Sequence, residues 1–183
     1  YYWTNRSATN DIKSMNYALD IVEEQLKTSI SFHLILDIPI ALFLSGWVDS
    51  SLIEAITSLE RKLDVFTVST NSYHDESIYA KKVASHLGIN LFTLKVTSEK
   101  FLEGFDKWAF SNDDSVSDPS AFELILLSET IKNAGYKVVL YGEGSDELFS
   151  GYNSYIRYKF YNDLSRIPYI SKFSKYFLNF SPT

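Results

Sequence analysis

Apolar residues at Ile12, Met15, Leu19, Val22, Leu26 and Ile30 recur every three or four positions, the period of an amphipathic helix. The spacing predicts a long helix from Asp11 to about His33, with Glu23, Glu24 and Lys27 on its wet side. His33, at its end, reads as a partner for the last helical carbonyls. The pattern then changes. Pro39-Ile40-Ala41-Leu42-Phe43-Leu44 is a continuous apolar run, which suits a strand buried on both faces of a parallel sheet. It stops at Ser45-Gly46, and helical spacing resumes with Leu52, Ile53 and Ile56. The predicted order is strand, tight turn, then a helix from Ser50 to about Leu59.

The alternation continues down the chain. Leu63–Ser69 predicts a second strand, and Asp75-Glu76-Ser77 opens a helix that runs to His86-Leu87 and stops at Gly88. Asp75 reads as its N-cap, worth about 1 kcal/mol. Asn90–Val96 predicts a third strand, and Thr97-Ser98-Glu99 caps a helix through Phe110. A helix from Ala121 to Ala134 ends at Gly135, before a fourth strand over Tyr136–Tyr141. Two loops are polar: Thr70–His74, and the acidic, hydroxyl-rich Ser111–Ser120. Beyond Gly151, Tyr155, Tyr158 and Tyr161 fall at three-residue spacing and are expected to pack into the core, with Pro168 breaking their helix. Strands alternating with helices at this spacing predict an α/β fold: a doubly wound parallel sheet with helices on both faces. One domain is expected over residues 1–183, and the abrupt start at Tyr1-Tyr2-Trp3 suggests an excised or incomplete segment.

Composition narrows the chemistry. A net charge of −6 gives no support to nucleic-acid binding, and the absence of cysteine removes disulfides, thiol nucleophiles and thiolate metal sites. No apolar run is as long as a membrane span, so no membrane association and a cytoplasmic protein are expected.

Two turns carry candidate chemistry. The first, Ser45-Gly46-Trp47-Val48-Asp49-Ser50-Ser51, places hydroxyls, a glycine and one carboxylate at a strand-to-helix junction. A helix N-terminus presents amides and a positive dipole end, so such a turn can hold phosphate, and Asp49 there hints at magnesium. An ordinary serine-capped turn fits the local pattern as well. The second turn, Gly142-Glu143-Gly144-Ser145-Asp146-Glu147, follows the fourth strand. Its three carboxylates within six residues need a cation to relieve their repulsion.

The first turn resembles Ser-Gly-Gly-x-Asp-Ser, the pyrophosphate loop of ATP pyrophosphatases, with Trp47 at the family's second glycine. The second, through Leu148-Phe149-Ser150-Gly151-Tyr152, resembles Ser-Gly-Glu-Gly-x-Asp-Glu-Leu-Phe-Gly-Gly-Tyr, with Tyr141 and Ser150 departing. Together with Asp37-Ile38-Pro39, Asp75-Glu76-Ser77, Tyr79-Ala80 and Asp118-Pro119-Ser120, they resemble the synthetase domain of glutamine-hydrolysing asparagine synthetase. The likeness implies an ATP pyrophosphatase (adenine nucleotide alpha hydrolase-like) fold and ATP as substrate with Mg2+. It implies adenylation of the aspartate side chain, pyrophosphate release, and attack by ammonia to give asparagine and AMP. Ser45, Gly46, Asp49 and Ser50 then match the pyrophosphate loop, and Asp49 and Asp146 match magnesium ligands. Phe43, Val68, Tyr141 and Gly142 match the adenosine pocket, and Glu143 a carboxylate near the reacting centre. Glycine at position 47 would let amides approach phosphate and could adopt angles that tryptophan disfavours. The chain lacks the family's cysteine glutaminase, so ammonia is expected from solution or from a glutaminase domain or subunit outside it.

Two other readings compete: a relative acting on another carboxylate, such as a β-lactam synthetase, peptide cyclase or polysaccharide amidotransferase, or a degenerate module that binds nucleotide or a partner without turnover. For both turns to serve one ATP, the first and fourth strands must be neighbours. That requires strand order 3-2-1-4, with Asp49 and Asp146 facing each other across the reversal.

Overall fold

A computed structural model describes residues 14–35, 37–70, 75–111 and 120–165. Within it the chain divides into two compact units, 1–141 and 142–183. The first unit holds α1 (Met15–Leu34), β1 (Ile40–Phe43), α2 (Val48–Glu60), β2 (Asp64–Thr70), α3 (Ser77–Leu87), β3 (Leu91–Val96), α4 (Ser98–Ser111), α5 (Ser120–Asn133) and β4 (Val138–Leu140).

All strand pairs are parallel and the order is β3-β2-β1-β4, as the sequence predicts. Side chains alternate across the sheet, so each strand feeds two cores. Ile40, Leu42, Leu44 and Val65 point to one face, where Leu34 of α1, Ile53 of α2 and Val83 of α3 join them. Ala41, Phe66, Val68 and Val96 point to the other, against Phe122, Leu127 and Ile131 of α5. Burial of Phe122 alone contributes about 2–3 kcal/mol. Helices on both faces make the sheet doubly wound, and the winding reverses between β1 and β4.

Helix ends follow the sequence signals. Gly88 takes a left-handed angle (φ 63°) as the C-cap of α3, and the Thr97 hydroxyl accepts from the Lys100 amide at the start of α4. His33 Nδ1 pairs with the Ser29 carbonyl at 2.7 Å. Asp75 caps α3 from one residue further back than the boundary: its Oδ1 accepts the Ser77 amide at 2.9 Å.

Four expectations fail. The apolar stripe of α1 is only partly covered: Met15 and Leu19 are exposed and Ile30 is the residue fully buried. Periodicity shows which side of a helix is apolar, not whether anything lies against it. On α2, Leu52 is exposed whereas Glu54 and Thr57 are fully buried, which no hydrophobic pattern announces. The tyrosines expected in the core sit on α7 (Asn153–Ser165) of the second unit, where Tyr155, Tyr158 and Tyr161 are all exposed. Steps of three residues drift by about 60° each around a helix, so these rings form no single buried stripe. The fourth strand is shorter than predicted, three residues rather than six. The beginning of the first helix, the loop Asn71–His74, the acidic loop over 112–119 and the tail from Arg166 lie outside the described residues.

Candidate nucleotide site

β1 ends at Phe43, and the chain turns through Leu44, Ser45 and Gly46 into α2. The Leu44 amide still bonds the Phe66 carbonyl at 2.8 Å, so the sheet ladder grips the chain up to the turn itself. A hydroxyl network then fixes the turn. Ser45 Oγ lies 2.8 Å from Ser50 Oγ, the Ser45 amide donates to Ser50 Oγ at 3.3 Å, and the Trp47 amide donates to Ser45 Oγ at 3.3 Å. The Ser50 hydroxyl also reaches the Trp47 carbonyl at 3.3 Å, and its residue is buried. Both serines therefore hold the turn's shape.

Gly46 has φ 91°, a region that side chains disfavour. A Cβ at this position would stand 2.4 Å from the Ala80 amide nitrogen and 2.6 Å from Tyr79 Cβ. The turn is thus seated directly on the first turn of α3. Trp47 has φ −75° and ψ 168°, ordinary extended backbone, which corrects the expectation that tryptophan would be strained there. Its indole is 60% exposed and tilts against the Tyr79 ring at 6.5 Å. α2 opens without a side-chain cap, with half-buried Asp49 in its first turn.

Across the reversal, Tyr141 follows β4 directly and its ring stacks on Phe43, with centroids 5.3 Å apart and planes inclined by 25°. Phe43 packs on the cluster that contains Val68. Three of the four adenosine-pocket residues expected from sequence, Phe43, Val68 and Tyr141, thus gather at the C-terminal edge of the sheet. Open α/β sheets bind ligands there, at the switch point.

The second unit carries Gly142, Glu143 and Asp146. α6 (Ser145–Phe149) begins after Gly144, and Ser150 follows it with φ 60°. Glycine adopts that left-handed angle without strain, whereas serine costs about 1–2 kcal/mol. The Tyr152 hydroxyl donates to Glu147 Oε1 at 2.8 Å. That bond, with desolvation and the charges of Glu147, Asp146 and Glu143, pushes the tyrosine up to about 12. Among the described residues no group of three or more His, Asp or Glu is arranged to enclose a metal. Magnesium keeps several waters and takes one or two carboxylates with substrate phosphates, so its binding does not require such a group.

Residues 21–179 match the family described as asparagine synthase. The chain belongs to the asparagine synthase family. Asparagine synthetase [glutamine-hydrolyzing] 1 of Bacillus subtilis is 32% identical over 149 residues, covering 80% of this chain and 23% of that protein. Amidase chry2 of Gibberella zeae is 28% identical over 162 residues, covering 79% of this chain and 24% of its own length. The chain therefore spans about a quarter of the curated relatives it matches. Among solved structures, NMN synthetase from Francisella tularensis superposes with a TM-score of 0.50 at 16% identity, over 73% of this chain and 58% of that one. At that identity the likeness concerns the fold. No described helix is long and apolar enough to cross a membrane.

Two features escaped the hydrophobic pattern. One is the buried Glu54 on α2, and the other is the second bond of Asp75, whose Oδ2 accepts from the Ser69 hydroxyl at 2.7 Å.

Proposed function

We propose that this chain activates a carboxylate with ATP for amide formation, in the leading form the side chain of aspartate, with ammonia as the nitrogen donor. The observation that carries the reading is the Ser45–Ser50 turn, seated through Gly46 on α3 and opening a helix at the sheet's switch point. Membership of the asparagine synthase family supports the reaction class.

In this reading a carboxylate oxygen attacks the α-phosphorus, the α–β bridging P–O bond breaks, and pyrophosphate leaves. Ammonia then attacks the acyl carbon, the acyl–oxygen bond to AMP breaks, and the amide nitrogen loses a proton. Gly46 and the α2 amides receive the phosphates, while Phe43, Val68, Tyr141 and Gly142 hold the adenosine. Glu143 lies by the reacting carboxylate. Asp49 and Asp146 would hold Mg2+, which offsets charge on the leaving pyrophosphate. Adjacency of β1 and β4, whose last residues lead into the first turn and into Tyr141, supports this reading. A glutaminase domain or subunit outside this chain would supply ammonia, and the cytoplasm would be its compartment.

ATP–pyrophosphate exchange tests the reading. Exchange that requires aspartate is the expected result; exchange with another acid moves the substrate, and its absence with every acid leaves a binding module. The similarity to amidase chry2 makes the panel of alternative acids worthwhile.

Asp49→Asn is expected to weaken magnesium-ATP binding about tenfold and AMP binding less than about twofold, because only the former presents a metal-bound polyphosphate. Calorimetry with both ligands decides it, and equal losses would remove Asp49 from the phosphates. Trp47→Gly is expected to tighten ATP binding by a modest factor, about threefold. The gain would come from clearing an exposed indole from beside the α2 amides, not from relieving backbone strain. Unchanged affinity would mean that the ring stands clear of the phosphate path.

A further inference from the structure

We propose that Asp75 is a positioning residue for the phosphate turn, acting through the first turn of α3; this rests on reading that turn as the cradle of the nucleotide. One carboxylate joins two elements that the nucleotide needs in register. Oδ2 accepts from the Ser69 hydroxyl at 2.7 Å, near the C-terminal end of β2 and next to Val68. Oδ1 accepts from the Ser77 amide at 2.9 Å, where α3 begins. Ser69 and Ser77 are both buried, so neither polar group has solvent to fall back on. Burial works to raise the Asp75 pKa, but bonds from Ser69 and Ser77 and the charge of Lys81 hold it below the ordinary carboxylate value. The acceptor is therefore ionised at neutral pH, and its bonds are charge-assisted.

The other end of the linkage is steric. α3 rises from Asp75 through Glu76, whose carbonyl accepts from the Tyr79 amide at 2.9 Å and the Ala80 amide at 3.3 Å. Those two residues are the ones that a Cβ at Gly46 would strike at 2.4–2.8 Å. The turn has no slack against α3, so a shift of the helix start moves the turn or opens a gap beneath it. Asp75 thereby ties the strand carrying Val68 to the support of the phosphate turn. The base wall and the phosphate cradle are held at a set separation by one side chain bonded to Ser69 and Ser77.

The test is hydrogen exchange and calorimetry on the full chain with Asp75→Ala and Asp75→Asn. Asp75→Ala is expected to speed amide exchange in the segment Ser45–Trp47 about tenfold and to weaken ATP binding by a similar factor. Asp75→Asn is expected to stay within about threefold of the unsubstituted chain in both, because its amide can still accept from Ser77 and donate to Ser69 Oγ. If Asp75→Ala changes exchange only over Asp75–Tyr79 and lowers the Tm with the turn and ATP affinity unaltered, Asp75 is a helix cap and the proposal fails. Should Asp75→Ala not fold, Ser69→Ala removes one of the two bonds and must give an intermediate acceleration at the turn; no acceleration overturns the linkage. Failure of the unsubstituted chain to bind ATP would overturn the nucleotide reading, while the exchange data still decide whether Asp75 positions the turn.

Discussion

Gly46→Ala is expected to abolish measurable ATP binding and to destabilise the fold by about 3 kcal/mol or more. Two penalties combine at this position. Alanine at φ 91° carries a strain of about 1–2 kcal/mol. The new methyl would also sit 2.4 Å from the Ala80 nitrogen and 2.8 Å from the Tyr79 carbonyl carbon, which are backbone atoms with no rotamer to yield. Either α3 retreats or the turn lifts, and each outcome disturbs the Ser45–Ser50 network above it. Gly88→Ala separates the two penalties. Gly88 also has a positive φ, 63°, but a Cβ there meets nothing within 4 Å. Its substitution should cost about 1 kcal/mol and leave nucleotide affinity alone. Denaturant melts and ATP titrations on the pair decide the matter; similar losses for both would mean that strain, and not the seat on α3, is what Gly46 relieves.

Glu54→Leu is expected to stabilise the protein at pH 8 by on the order of 2 kcal/mol, with a smaller gain at pH 5. Glu54 is fully buried on α2, and neither carboxyl oxygen has a hydrogen-bond partner in the described structure. Burial raises it from the ordinary 4.5 to about 7. The sign follows from proton linkage. Below 4.5 the carboxyl is protonated in both folded and unfolded chains, and its favourable contribution is complete. Between 4.5 and 7 the unfolded chain has given up the proton and the folded chain keeps it, so stability falls as pH rises. Above 7 both states are ionised and the full burial cost remains. Leucine is of similar size, leaves no polar atom unsatisfied, and should remove this part of the pH dependence. The difference in unfolding free energy between Glu54→Leu and the unsubstituted chain, followed from pH 4.5 to 8, should rise with pH. A flat difference would show that Glu54 ionises in contact with water.

The elements and their order were legible because each is specified by local chemistry. The apolar run Ile40–Leu44 has the pattern of a doubly buried strand, and the spacing of Leu52, Ile53 and Ile56 suits a helix after it. The turn between them must then lie at the C-terminal end of a strand, where α/β sheets place ligands. The strand order was also within reach, because two separated turns can share a nucleotide only if their strands are adjacent, and β1 pairs with β4. The candidate residues Phe43, Val68 and Tyr141 came from resemblance, and the sheet brings them to one edge. Ser150, where the resembled motif has glycine, adopts a left-handed angle that glycine takes without strain.

What local chemistry cannot encode is which faces find cover. The stripe on α1 has the pattern of buried surface, yet Met15 and Leu19 meet solvent, because burial depends on what else packs there. Glu54 shows the converse: a carboxylate that no hydrophobic pattern marks as internal is enclosed in the folded chain. The role of Gly46 belongs to the same category. Its need for a positive φ is local, but the helix it rests on begins some thirty residues later in the chain, and so does the Asp75 that pins that helix to β2. The sequence by itself determined the elements, the two turns and the class of chemistry they suit. Tertiary structure alone decided which surfaces are covered, which carboxyl is trapped and which helix supports the Ser45–Ser50 turn, since close packing joins residues whose separation in sequence carries no record of the contact.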